Sequence, residues 1–222
     1  MPGQPTSPRP ARSYAAAAKL LAEQDPVLRR LIKETGPPRM QTRTESHLGT
    51  LVRAIVYQQL AGAAAAAIHR RLIEAMDGEV TPERLLALSD ETLRAVGLSR
   101  AKVVSLRDLA AKVLDGTVVL EPRRLRTLSD EDVVERLSSV RGIGKWTSEM
   151  FMMFQLRRLD VWPTGDLGIR KGYGLAWGIP TPTAKELEPL GEPYRPYRSV
   201  VAWYCWRAAE LYAGAGESAL TR

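Results

Sequence analysis

Leu137-Ser138-Ser139-Val140-Arg141-Gly142-Ile143-Gly144-Lys145-Trp146-Thr147-Ser148 decides how this chain folds. One helical pattern closes at Leu137 to Val140, two glycines flank an isoleucine, and a second helical pattern opens at Lys145. Glycine at both ends of the turn lets a phosphate approach the backbone without meeting a Cβ. The exposed N–H groups and the positive end of the second helix dipole then point at one phosphate, whatever bases it carries. Arg141 and Lys145 add salt-dependent attraction, and with Gly142, Gly144 and Thr147 they are the candidate DNA contacts of the turn. Asp166 follows twenty-two residues after the second glycine (166 − 144 = 22), at the end of the turn-rich Trp162-Pro163-Thr164-Gly165-Asp166. A carboxylate beside a backbone-phosphate grip points to chemistry on a nucleotide. Its plainer role would be to cap a helix beginning near Leu167, as aspartate often does.

Outward from this stretch the punctuation is helical. Asp25-Pro26 sets an N-cap before a proline at the first helical position, and Gly36 stops that helix. From about Ser46 to Leu60, Leu48, Leu51, Val52, Ile55 and Val56 share one helical face. A further helix is expected from Ala63 to Met76, ending before Gly78. Thr81-Pro82 repeats the cap-and-proline signal, and Gly97 and Gly116 are C-terminal stops. Leu88-Ser89-Asp90-Glu91 recurs forty residues later as Leu128-Ser129-Asp130-Glu131, each copy leading through a glycine turn into a basic helix. No alternating strand pattern exceeds a few residues, so the fold class is all-α.

The chain has 222 residues, ample for a core, with 45% hydrophobic residues and a formal net charge of +7. That balance favours a polyanionic partner. Between Arg94 and Arg126 eight Lys/Arg face three acids, which concentrates the charge. Cys205 is the single cysteine, so an intramolecular disulfide is impossible, and an iron–sulfur cluster, which takes about four thiolates, is not expected. Cys205 sits in an apolar run and is expected as a small buried hydrophobe. His47 is expected near a helix start and His69 on a solvated basic face with Arg70 and Arg71. No stretch approaches the roughly 20 apolar residues of a membrane span. The alanine run Ala15 to Ala18 is interrupted by Lys19, so no signal peptide is expected, and a reducing cytoplasmic setting is the default expectation. Residues 1–12, with four prolines, are expected to be a disordered tail, leaving 13–222 as the folded domain.

The hairpin, Trp146, Asp166 and the tail Pro196-Tyr197-Arg198-Ser199 through Trp206, with Tyr57-Gln58-Gln59-Leu60-Ala61 and Gly97-Leu98-Ser99-Arg100-Ala101-Lys102, together resemble the helix-hairpin-helix/Gly-Pro-Asp superfamily of DNA glycosylases. Within it the chain is similar to the AlkA-type 3-methyladenine DNA glycosylases, from about Asp25 to Trp206. The resemblance implies two helical lobes, roughly 43–160 and 13–42 plus 161–222, with the active-site cleft between them. It implies double-stranded DNA with alkylated bases as substrate, 3-methyladenine and 7-methylguanine first, and action as a monomer. Asp166 would be the catalytic carboxylate, stabilising an oxocarbenium-like sugar and orienting water. A lyase branch of the superfamily carries a nucleophilic lysine two residues after the second glycine. Trp146 stands there, and Lys145 lies about 100° round the helix, so a monofunctional enzyme is expected.

The resemblance also assigns a base pocket. Trp146 would help wall it, and Trp206 aligns with a pocket tryptophan on which a cationic purine stacks, although Trp206 also shares a helical face with Ala202 and Trp203 as a packing stripe would. Tyr57 stands where relatives usually carry glycine, and Met150 where close relatives have tyrosine, so lesion preference is open. Gln59 holds the wedge position that fills the gap left by a flipped base; a surface glutamine at a helix end is the alternative. The hairpin carbonyls of Ser138, Val140 and Ile143 would hold a Na+ or K+ ion. The compact length corresponds to members without a strand-rich N-terminal domain. Two other functions stay open: a non-catalytic DNA-gripping module, and a bifunctional glycosylase/lyase.

Overall fold

The computed structural model describes Ala11, residues 13–40 and residues 44–213, so the stretch expected as a tail falls outside it apart from Ala11. The helices are α1 (Tyr14–Gln24), α2 (Pro26–Thr35), α3 (His47–Tyr57), α4 (Gly62–Ala75), α5 (Pro82–Ala87), α6 (Asp90–Ala95), α7 (Arg100–Leu114), α8 (Pro122–Leu125), α9 (Asp130–Ser138), α10 (Lys145–Met150), α11 (Leu167–Trp177), α12 (Ala184–Leu190) and α13 (Arg198–Tyr212). A π-helical turn, Phe151–Gln155, continues α10. No strand occurs among the described residues, and the fold is all-α.

Local chemistry explains where these helices begin. Asp25 accepts from the Val27 and Leu28 N–H groups at the start of α2, with Pro26 in the first position whose missing N–H costs nothing. Ser46, Thr81, Ser89, Ser99 and Ser129 cap α3, α5, α6, α7 and α9 in the same way. Gly97 at φ 105° and Gly116 at φ 82° take the left-handed conformations that end α6 and α7. The expected helices start within a residue or two of their sequence signals, but α3 stops at Tyr57, three residues before the expected Leu60.

The described residues fall into two compact units, one within 41–157 and the other made of those before 41 and after 157. In the first, α3 presents Leu51, Val52, Ile55 and Val56 to a core with Leu72, Leu85, Leu106 and Leu109. In the second, α11 and α13 pack closely, with Leu21, Leu28, Leu31, Tyr204 and Cys205 fully enclosed. Cys205 is thus the buried hydrophobe its surroundings implied.

Both copies of the internal repeat are helix-turn-helix units, α6 with α7 and α9 with α10, but they differ at the second helix. In the first copy the Ser99 side chain accepts from Lys102 N–H, satisfying one orphan donor internally. In the second, Gly144 has no side chain and α10 starts without a cap.

Candidate active site

Asp166 is held at the end of a tightly bound segment. The buried Arg198 guanidinium grips Asp160, with Nε 2.8 Å from Oδ1 and Nη2 3.0 Å from Oδ2. Ser199 donates its Oγ to the Arg158 carbonyl at 2.8 Å and accepts from Val161 N–H at 2.9 Å. Trp162 then donates its indole N–H to the Leu187 carbonyl at 3.0 Å, and Asp166 N–H closes the turn on Pro163 O at 3.0 Å. At the end of this segment Asp166 Oδ1 caps α11 by accepting from Ile169 N–H at 2.9 Å. The same oxygen accepts from the Trp206 indole N–H at 3.0 Å. Asp166 is therefore both helix cap and partner of Trp206.

Two glycines one turn apart on α11 allow that contact. A Cβ on Gly172 would sit 1.7 Å from the Cys205 carbonyl oxygen, and one on Gly168 would sit 3.0 Å from Trp206 Cδ1. Without side chains there, α13 comes close enough for Trp206 to reach Asp166. Trp206 is half-buried rather than a core side chain, and Trp203, the other tryptophan of that stripe, packs edge-on against Tyr204. Burial, reinforced by the Asp166 charge, pushes the enclosed Cys205 thiol well above its usual range.

The hairpin lies in the unit 41–157. Gly142 sits at φ 79°, and a Cβ there would lie 2.7 Å from Ser105 Oγ on α7. Arg141 N–H is not available to a phosphate, because it donates to Asp108 Oδ2 at 2.7 Å. Burial alone would raise Asp108, but that N–H and the Lys112 ammonium outweigh it and hold the carboxyl below its ordinary value. The Arg141 side chain is exposed, as is Lys145, whose Nζ lies 3.8 Å from Glu149. Gly144 has open space where a Cβ would be, beside the uncapped start of α10. Thr147, expected at the DNA surface, is instead buried.

A pocket of about 590 Å³ opens between α3, its C-terminal loop, the hairpin and α10. Of the residues expected at the site, Tyr57, Gln59, Gly142, Trp146, Thr147 and Met150 line it, joined by Thr50, Arg53, Gln58, Phe151 and Phe154. The Arg53 guanidinium lies 4.1 Å over the Tyr57 ring and 3.7 Å from Glu45, so a cation–π contact and an ion pair already occupy Tyr57's surroundings. Among the described residues, the buried Thr50 Oγ1 has no hydrogen-bond partner. Trp146 is 51% exposed, unusual for an indole that packing alone would place.

Residues 52–196 match the family described as HhH-GPD superfamily base excision DNA repair protein. The chain belongs to the HhH-GPD superfamily. Among HhH-GPD relatives, DNA-3-methyladenine glycosylase 1 of Schizosaccharomyces pombe is 36% identical over 189 residues, covering 82% of each chain. The crystal structure of a Bacillus halodurans DNA-3-methyladenine glycosidase superposes with a TM-score of 0.81 at 36% identity, covering 89% of this chain and 91% of that one. An S. pombe 3-methyladenine DNA glycosylase in complex with abasic DNA superposes with a TM-score of 0.75 at 34% identity, covering 87% and 96%.

Several features of this HhH-GPD chain escaped sequence reasoning. His69 is not on a solvated face: it packs edge-on to Tyr57 at 6.1 Å with Nε2 buried, and burial lowers its pKa. The basic cluster is partly internal. Arg107 serves Asp90 and the Leu86 and Leu88 carbonyls, Lys112 serves Asp108 and the Ser139 carbonyl, and Lys102 serves the Val56 carbonyl at the end of α3 and the Gln58 carbonyl just after it. Phe151 and Phe154 reach the pocket through the π-helical turn, which offsets the register and has no simple sequence signal. Gly168 and Gly172 were also missed, although two small residues four apart after Asp166 were a signal that could have found them.

Proposed function

We propose that this chain is a monofunctional DNA glycosylase that flips alkylated bases, of the 3-methyladenine and 7-methylguanine type, out of duplex DNA and hydrolyses their N-glycosidic bonds in base excision repair. The observation that carries this reading is that one pocket takes part of its wall from the hairpin glycine Gly142 and from Trp146, at the uncapped helix start. A phosphate held there would bring its nucleotide beside a cavity lined by Tyr57, Trp146 and Met150. A base alkylated at a ring nitrogen is a cationic leaving group and needs no strong general acid. Asp166 would stabilise the positive charge that develops on the sugar and orient the water that adds at C1′ as the base departs. The donor from Trp206 and the α11 N–H group fix Oδ1 for that task. Gln59 would fill the gap in the stack.

Trp146 in place of the lyase lysine leaves no amine to form a Schiff base at that position, so the product is an uncut abasic site. The hairpin carbonyls are chemically suited to a Na+ or K+ ion: among the described residues those of Ser138 and Ile143 accept no hydrogen bond, and that of Val140 accepts one from Ile143 N–H at 3.1 Å. Such an ion would add positive charge near the phosphate. The test is incubation of the full chain with methylated duplex DNA. Free 3-methyladenine and 7-methylguanine should appear, strands should break only after alkali, and borohydride should trap no covalent adduct. A trapped adduct would make the enzyme bifunctional. Tight binding with no base released would make it a DNA-gripping module.

A further inference from the structure

Lys102, Ser105, Asp108 and Lys112 lie three, three and four residues apart on α7 and so form one polar stripe along that helix. Three of them hold the hairpin. Ser105 packs on Gly142, Asp108 accepts from Arg141 N–H at 2.7 Å, and Lys112 donates to the Ser139 carbonyl and to Asp108. The fourth, Lys102, holds the loop that ends α3. Its ammonium donates to the Val56 carbonyl at 2.6 Å and the Gln58 carbonyl at 2.9 Å, at a helix C-terminus where the dipole favours a cation. Gln58 in turn donates its Nε2 to the Gly142 carbonyl at 2.7 Å, joining loop and hairpin directly. Gln59 comes next, exposed and at φ 56°, a left-handed conformation that a glutamine keeps only where its surroundings enforce it. Leu60, beyond it, is 40% exposed. Burial lowers the Lys102 pKa, so the ammonium is kept there against a desolvation cost.

We propose that Lys102 is a positioning residue for base flipping: it locks the loop carrying Gln59 and Leu60 at a set spacing from the phosphate-holding hairpin, so that the loop tip enters the duplex where the base leaves. In the first repeat copy the start of the basic helix thus grips the protein's own backbone, where the second copy grips DNA. The proposal rests on the glycosylase reading and on this loop as the wedge.

Its test is single-turnover release of 7-methylguanine from duplex and single-stranded oligonucleotides of one sequence, by the full chain and by Lys102→Met, Lys102→Arg, a loop-tip variant (Gln59→Ala with Leu60→Ala) and the loop-tip variant combined with Lys102→Met. Lys102→Met should slow duplex release about tenfold, the scale of one charge-assisted hydrogen bond, and leave single-strand release within about twofold. Lys102→Arg should recover most of the loss, and Lys102→Met should add nothing once the loop tip is truncated. Equal losses on both substrates, or losses that multiply with those of the loop tip, would overturn the proposal. A second readout needs no chemistry: 2-aminopurine beside a tetrahydrofuran abasic analogue brightens when an inserted loop unstacks it. Lys102→Met should diminish that signal, and an unchanged signal overturns the proposal even if wild type releases no base. Should Lys102→Met fail to fold, Lys102→Gln takes its place in both readouts.

Discussion

At Asp166 Oδ1 two donors meet, Ile169 N–H at 2.9 Å and Trp206 Nε1–H at 3.0 Å, so α11 and α13 aim one carboxylate together. A cap alone needs only the first. Trp206→Phe keeps the ring and removes the second donor; because a hydrogen bond to a charged group contributes about 1.5–3 kcal/mol, the rate of base release should fall about 10- to 100-fold. DNA affinity should change little, and a rate within twofold of wild type would show that Trp206 does not aim the carboxylate. Asp166 was legible in the sequence because its turn and its distance from the hairpin are local signals. The Trp206 contact was not, because it depends on how closely two helices approach. A similar blind spot covers Thr50: it lies on the side of α3 opposite the Leu51–Ile55 stripe, and only the structure shows it buried beside the pocket with a hydroxyl that has no hydrogen-bond partner among the described residues.

The approach of α13 to α11 is set by glycine. Gly172→Ala would gain up to about 1 kcal/mol in helix propensity and set a Cβ 1.7 Å from a backbone carbonyl, which can yield only if the helices part. Overpacking of this kind should cost about 3 kcal/mol or more, read as a lowered urea midpoint. Gly144→Ala, with open space at its Cβ position, should leave that midpoint in place and weaken DNA binding. The α7 stripe gives a pH-dependent element. Asp108 lies below its ordinary value of 3.8 in the folded chain, so its contribution is complete above 3.8 and is lost as the pH falls through its lower folded value. Asp108→Asn should therefore be less stable than wild type at neutral pH, with the gap narrowing on acidification; a gap independent of pH would contradict the assignment. Helix boundaries were legible because caps, prolines and left-handed glycines act within a few residues. The polar stripe was not, since Lys102 and Lys112 look like solvated charges until their carbonyl partners, 27 to 46 residues away in sequence, are in view.

Over the whole chain, the net charge of +7 overstates what DNA can meet, because Lys102, Arg107 and Lys112 are turned to the protein's own carbonyls and carboxylates. Each phosphate neutralised adds about 0.9 to the slope of log affinity against log salt. Lys145→Met should lower that slope by about one, whereas Arg107→Met should leave it unchanged, as equilibrium binding over a salt series will report. The family was legible because glycine turn, carboxylate and aromatic tail recur at distances that coincidence rarely matches, even though each part alone is common. The pocket's full lining was not, since it is assembled from helices far apart in the chain and from a π-helical turn. The central claim, that Asp166 supplies the chemistry while other residues hold the DNA, is tested most directly by single-turnover base release from methylated duplex by wild type and Asp166→Asn, with binding measured on the same DNA. Rapid release by wild type, a loss of at least about 1000-fold in the variant and near-equal affinity are predicted, on the scale of a removed electrostatic stabiliser. Undiminished release by Asp166→Asn would contradict it.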